Sequence, residues 1–138
     1  MNAVPVARIS ELVLEASDLG RSVAFYRDVL GFTVIRQSEA RAWLLAGGNT
    51  RIGLWTPGLG PGIAGGLGGA HVHYAFHLRE EDFAAAVAHL ESKGCDVEIH
   101  DFSDESRGRA AYVSDPDGNV VELWTLDVSA ETEAEIAS

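Results

Sequence analysis

Ala110-Ala-Tyr-Val-Ser-Asp-Pro-Asp-Gly-Asn-Val-Val-Glu-Leu-Trp124 reads as strand, tight turn, strand. Asp115-Pro116-Asp117-Gly118 carries turn chemistry: the first Asp closes the corner, proline pre-sets the next φ, and glycine accepts a positive one. Tyr112-Val113 leads in and Val120-Val121-Glu122-Leu123-Trp124 leads out, both rich in strand formers. Side chains alternate across a strand, so Val120, Glu122 and Trp124 share one face while Val121 and Leu123 share the other. An acid between two large apolar neighbours on one face is the first sign of a functional position.

The same pattern occurs earlier in the chain. Gly48-Asn49-Thr-Arg-Ile-Gly-Leu-Trp55 parallels Asp117-Gly118-Asn-Val-Val-Glu-Leu-Trp124, so Gly53 stands where Glu122 does. By the same correspondence Glu11 stands where His73 does. The elements around these segments repeat too. Residues 9–16 read as a strand with Leu12, Leu14 and Ala16 on the core face and Glu11, Val13 and Glu15 opposite. Ser17-Asp18 can cap a helix marked by Leu19, Val23, Tyr26 and Leu30, with Phe25 and Val29 widening the stripe and Gly31 ending it. Residues 32–37, 40–46 and 51–55 follow as three strands. In the second half, residues 72–78 read as a strand with His71, His73, Ala75 and His77 on one face. Phe83, Val87 and Leu90 mark a helix that Gly94 ends, and residues 95–99, 109–114 and 119–126 are three further strands. An internal repeat of this kind fixes the architecture. The fold expected is α+β: two βαβββ modules forming a curved mixed-sheet trough with helices on the outside. One domain spans residues 1–138: module one at about 7–56, a glycine-rich linker at 57–70, module two at about 71–126, and an acidic tail at 127–138. The glycine-rich stretch lacks the spacing of a phosphate-binding loop and precedes a strand, so it reads as a linker.

Composition narrows the partners. The 138-residue chain carries a formal net charge of −11, which argues against nucleic acid and against an anionic membrane surface. No apolar run reaches the length of a membrane span, and the first ten residues lack the basic start and apolar core of a signal peptide. With a single cysteine, Cys95, no internal disulfide can form. A cytoplasmic protein that binds a small molecule is expected, and Cys95 is expected to be a packed residue rather than a nucleophile.

Glu11, His73 and Glu122 therefore occupy equivalent strand positions, each on the face away from the helix. If the sheets curl into one trough, the three side chains converge. Two carboxylates and an imidazole are donors suited to a divalent transition metal, and three protein ligands leave positions open for water and substrate. The plainer alternative is a satisfied strand histidine and two glutamates at a solvated rim. Both remain open on the residues alone, and the repeat weighs toward the ion. Trp55 and Trp124 are repeat equivalents on the inner faces, and Trp43 and Tyr112 join them by strand parity as candidate walls of a substrate pocket. His71 shares the face of His73 and is a candidate for orienting substrate or carrying a proton. His77, His89 and His100 read as surface or edge residues. Arg107 and Arg109 flank a glycine and either clamp an anionic group or face solvent.

Leu12 to Gly31, with Ser17-Asp18-Leu19, Phe25-Tyr26-Arg27-Asp28 and Leu30-Gly31, resembles the opening of the vicinal oxygen chelate superfamily, the group of glyoxalases, bleomycin-resistance proteins and extradiol dioxygenases. His73-Tyr-Ala-Phe76 with Glu81-Asp82-Phe83 resembles its second module, particularly in fosfomycin-resistance thiol transferases. Asp115-Pro-Asp-Gly-Asn-Val-Val-Glu-Leu123 is similar to its closing signature. The resemblance places the family's second-module ligand on His73, its closing carboxylate on Glu122, and its first-strand ligand, often histidine, on Glu11. A further acid found near the end of module one in certain glyoxalases falls at about Gly53, which cannot coordinate. The implied cofactor is a divalent metal (Zn, Ni, Mn or Fe). The implied function is lyase, isomerase or thiol-transferase chemistry on a small oxygen-bearing substrate, with Glu11 or Glu122 as general base. The alternative within the family is a metal-free antibiotic-binding protein, with Trp55 and Trp124 stacking a flat ligand and Glu11 and Glu122 meeting its cationic part. The resemblance also implies a homodimer, with Glu11 supplied in cis or in trans.

Overall fold

Alternating strand residues and two amphipathic helices build the same order of elements twice. The computed structural model describes residues 8–58 and 73–128, which belong to two compact units, 1–66 and 67–138. His71, most of the expected linker and most of the acidic tail lie outside the described residues. The first unit contains β1 (Glu11–Glu15), α1 (Leu19–Ala24), β2 (Thr33–Gln37), β3 (Arg41–Ala46) and β4 (Thr50–Trp55). Its sheet runs β1-β4-β3-β2, with β1 parallel to β4 and the other pairs antiparallel. The second unit contains β5 (His73–His77), α2 (Phe83–Ser92), β6 (Glu98–Asp101), β7 (Arg109–Ser114) and β8 (Val120–Trp124), ordered β5-β8-β7-β6 with the same sense of pairing. Each unit is thus βαβββ with a mixed four-stranded sheet. Among the described residues, no helix is long and apolar enough to cross a membrane.

Register makes the duplication explicit. Val13 and Trp43 flank Gly53 in the first sheet as Ala75 and Tyr112 flank Glu122 in the second. Glu11 pairs with Arg51 as His73 pairs with Val120. The opposite faces hold the cores. Ala42, Leu44, Ile52 and Leu54 alternate into the first, under Leu19 and Val23 of α1, and all are buried. Phe83 and Val87 of α2 pack on Ala111 of β7, with Leu78 and Val97 at the margin. Each such aliphatic or aromatic side chain stabilises its unit by about 1.5–3 kcal/mol relative to exposure.

Three local features depart from the expected pattern. The Asp18 carboxylate caps α1 by accepting from the Arg21 N–H at 3.1 Å, but the α-helical period stops at Ala24. A π-helical turn, Phe25–Val29, follows, closed by the Leu30 N–H on the Phe25 carbonyl at 3.1 Å. The wider turn lets the adjacent Phe25 and Tyr26 both reach the interior. Second, no strand starts at Cys95. The Cys95 N–H is taken by the Leu90 carbonyl at 3.1 Å in the cap around Gly94, whose φ is +83°. Strand β6 starts only at Glu98 and runs on through His100 to Asp101. Third, the first and last strands end one or two residues inside the expected limits, at Glu11–Glu15 and Val120–Trp124.

The turn before β8 is held by one buried side chain. Asp115 Oδ1 accepts from the N–H groups of Asp117 and Asn119 at 2.9 and 2.8 Å, and Oδ2 accepts from Asn119 Nδ2 at 2.8 Å. Gly118 takes φ +84° and donates its N–H to the Asp115 carbonyl at 3.0 Å. Asp115→Ala is expected to cost about 3 kcal/mol of unfolding free energy by urea denaturation, because it strands three donors that a charged acceptor satisfied. A cost below about 1 kcal/mol would show that the backbone alone shapes this turn.

Candidate functional site

In the second unit, strand pairing brings three of the expected residues together. Glu122 sits on β8 between Ala75 of β5 and Tyr112 of β7, and the residue is only 4% exposed. His73, one step diagonally along β5, places Nε2 3.0 Å from Glu122 Oε1. Tyr112 lies across from Glu122 on β7, and the charge of that carboxylate acts on its phenol. Its ring stands edge-on to His73, with centroids 5.9 Å apart. Two donors about 2.1 Å from one ion and at right angles are about 3 Å apart, so this spacing serves either a direct hydrogen bond or two adjacent ligands of a metal. Within each unit, the described residues gather no group of three or more His, Cys, Asp or Glu in position to hold an ion. The second unit alone contributes a two-donor pair.

Glu11 belongs to the first unit, where its neighbours differ. Oε1 accepts from the Trp43 indole at 3.0 Å and from Arg51 Nε at 2.9 Å. These bonds fix the carboxylate through Oε1. Gly53 makes room for the arrangement. A Cβ there would lie 3.2 Å from Val13 Cγ2, 3.3 Å from Trp55 Nε1 and 3.4 Å from Glu11 Oε1. Where module two carries an acid, module one draws the neighbouring side chains over a glycine.

The expected aromatic walls prove to be engaged. The Trp43 indole positions Glu11, and its ring lies under Arg36 at 4.7 Å and Arg51 at 5.7 Å. Trp55 lies under Arg41 at 4.7 Å. The buried Trp55 Nε1 and Arg41 Nε have no acceptor among the described residues. Trp124 donates its indole N–H to the Arg107 carbonyl at 2.8 Å, with the Arg107 guanidinium 6.0 Å from its ring. Neither Arg107 nor Arg109 reaches toward Glu122. Arg107 faces Glu105, and Arg109 bonds Glu80 and covers Phe83. The half-buried Cys95 thiol is pushed up by burial and by Asp96, the opposite of what a nucleophile needs. His100, read from the sequence as a surface or edge residue, and Phe102, which no sequence signal singled out, belong here. They join His73, Glu98, Tyr112 and Val120 around a cleft of about 420 Å³. Running the strand reading two residues further, to Asp101, would have put Glu98 and His100 on the Tyr112 face.

Burial, then the charge of Glu122, raise the Tyr112 phenol above its ordinary value. The neutral phenol is favoured in the folded chain. Its stabilising contribution is therefore complete below about pH 10, where unfolded phenols ionise, and is lost as pH rises through the higher folded value. In ultraviolet titration, Tyr112→Phe should remove one late-ionising phenol from the parent curve. A difference curve in which the lost phenol ionises at the free value, about pH 10, would assign the shift elsewhere.

Comparison with known proteins follows this geometry. Residues 8–123 match the sequence model of the Glyoxalase/Bleomycin resistance protein/Dioxygenase superfamily. The glutathione transferase FosA of Serratia marcescens is 30% identical over 129 residues, covering 91% of this chain and 86% of that protein. The metallothiol transferase FosB of Staphylococcus epidermidis is 27% identical over 120 residues, covering 87% of this chain and 82% of its own length. The crystal structure of FosX from Listeria monocytogenes, complexed with Mn(II) and 1S,2S-dihydroxypropylphosphonic acid, superposes with a TM-score of 0.71. It is 19% identical and covers 90% of this chain and 94% of that one, which is a likeness of fold. A sequence match across both βαβββ units places the chain in the glyoxalase, bleomycin-resistance and dioxygenase superfamily.

Proposed function

We propose that this chain is a metal-dependent enzyme of the glyoxalase type, with lyase, isomerase or thiol-transferase chemistry on a small oxygen-bearing substrate. The observation that carries the reading is the 3.0 Å separation of His73 Nε2 and Glu122 Oε1 on neighbouring strands. It matches the spacing of adjacent ligands on a divalent ion, and the donor types suit Mn, Zn, Ni or Fe. The transferase names of FosA and FosB support the same class. In this reading His73 and Glu122 hold the ion, and Glu11, equivalent to His73 by the repeat, is the third protein ligand. A bound divalent metal supplies Lewis-acid polarisation of a substrate oxygen.

The residues themselves divide the remaining work. Tyr112, opposite Glu122 in the β7–β8 pairing, packs beside that carboxylate and limits its rotation, as neighbours of metal ligands do. Trp43 and Arg51 do the same for Glu11 through Oε1. Of the two glutamates, Glu122 is enclosed, with a side chain 6% exposed, whereas that of Glu11 is 27% exposed. Glu11 is therefore the better candidate for general base, taking a proton at Oε2 while its Oε1 bonds stay in place. The metal-free alternative needs open faces on Trp55 and Trp124, and one face of each is shared with an arginine.

Calorimetric titration of the metal-stripped chain with Mn²⁺ is expected to show one site per chain. His73→Ala should weaken it by at least about a hundredfold, and Tyr112→Phe by about tenfold. Equal binding by the parent and His73→Ala, or by neither, would remove the site. We also propose a homodimer in solution, since Ile35 on β2 and Ile99 on β6 leave large apolar side chains exposed on edge strands. Light scattering after size exclusion should give twice the chain mass, and a monomer at all concentrations would contradict it.

A further inference from the structure

The cleft on the second unit has a chemical character of its own. His100 stacks on Phe102, with rings 6.0 Å apart and 9° from parallel, and meets the Tyr112 ring edge-on at 5.4 Å. Its Nε2 lies 3.2 Å from Glu98 Oε1. Phe102 is held in place by its backbone. Its N–H donates to the Gly108 carbonyl at 2.7 Å, and its carbonyl accepts from the N–H groups of Glu105 and Arg107, each at 3.0 Å. The Asp101 carboxylate pins the start of this loop by accepting from the Ser103 N–H at 2.9 Å. Gly108, at φ +72°, lies so close under Thr125 and Leu126 that no larger residue fits. The aromatic wall is therefore pre-formed.

Charge around the wall is one-sided. Glu98 is the carboxylate that lines the cleft; Glu122, behind His73, is answered by the ion in the proposed site and adds no charge of its own to the wall. No lysine or arginine among the described residues lines it. The arginines of this unit are committed elsewhere: Arg79 to Asp82, Arg107 toward Glu105, and Arg109 to Glu80. A phosphonate or carboxylate seated here would meet carboxylate charge with no guanidinium fork to receive it. A flat group that is neutral or cationic would meet ring faces, ring edges and a carboxylate.

We propose that this cleft seats a flat, neutral or cationic part of the substrate, and that Phe102, His100 and Glu98 set the preference against phosphonate-like dianions. The proposal deepens the catalytic reading and rests on it for identifying the occupant as substrate. It distinguishes this chain from the phosphonate complex of FosX.

The test uses three probes of one shape on the full chain in excess chelator: benzamidine as the cation, benzamide as the neutral form, and phenylphosphonate as the dianion. Binding is followed by the ring-proton NMR signals of His100 and Tyr112. Benzamidine and benzamide should shift these signals saturably, and phenylphosphonate should bind at least about tenfold more weakly than benzamidine. Phe102→Ala should weaken both benzamidine and benzamide by about tenfold. Glu98→Gln should weaken benzamidine alone, by about threefold because the carboxylate is largely exposed. Phenylphosphonate binding as tightly as benzamidine, indifference to Phe102→Ala, or no binding by any probe would overturn the proposal. Metal-free conditions keep the outcomes separate. A failed metal titration with probe selectivity intact removes the catalytic reading and keeps the seat, and the reverse removes the seat alone.

Discussion

An enclosed carboxyl group has to be answered by donors, because leaving it unpartnered among hydrocarbon costs several kcal/mol. Glu122 poses that demand in the middle of β8; strand β5 meets it with the His73 imidazole, and β7 sets Tyr112 across from it. Much of the second unit follows from this. The Asp115 turn sets where β8 begins relative to β7, and hence that Tyr112 falls opposite Glu122. Parallel pairing of β5 with β8 brings His73 within reach along the diagonal. A slip of one residue in either pairing would carry the acid to the helix-packed face.

The first unit occupies the same register positions differently. Gly53 takes the place of the acid, Trp43 the place of Tyr112, and Glu11 the place of His73. With no side chain to satisfy on β4, the indole turns its N–H to Glu11, and Arg51 completes the pairing. Arginines 36, 41 and 51 then lie over the two tryptophans and cover much of their apolar surface. Duplication supplied one backbone frame. Substitution at a few inward positions made one copy an arginine-tryptophan surface and the other an acid-histidine cleft.

Most of this frame was legible in the letters because two periodicities carry it. Alternation put Glu122, Trp124 and His73 on faces opposite the buried Val121 and the half-buried Tyr74, and the helical stripe of Phe83, Val87 and Leu90 is the one that is buried. Positive φ at Gly31, Gly94 and Gly118 agrees with their reading as stops and turns. What stayed hidden depends on tertiary partners. Cys95 to Val97 have strand-like composition, yet the Cys95 N–H belongs to the helix cap, which moved β6 toward His100. The π-helical turn has no periodic signature, since its cause is the joint burial of Phe25 and Tyr26. Trp124 and Trp55 were placed on the right strands, but no pattern could foretell that a loop carbonyl and an arginine engage them.

If His73 and Glu122 are adjacent ligands of one divalent ion, diffraction from crystals grown with Mn²⁺, with data collected near the manganese absorption edge, should show an anomalous peak within about 2.3 Å of both His73 Nε2 and a Glu122 carboxylate oxygen. A peak elsewhere, or none while those two atoms keep their direct contact, would contradict that shared ligation.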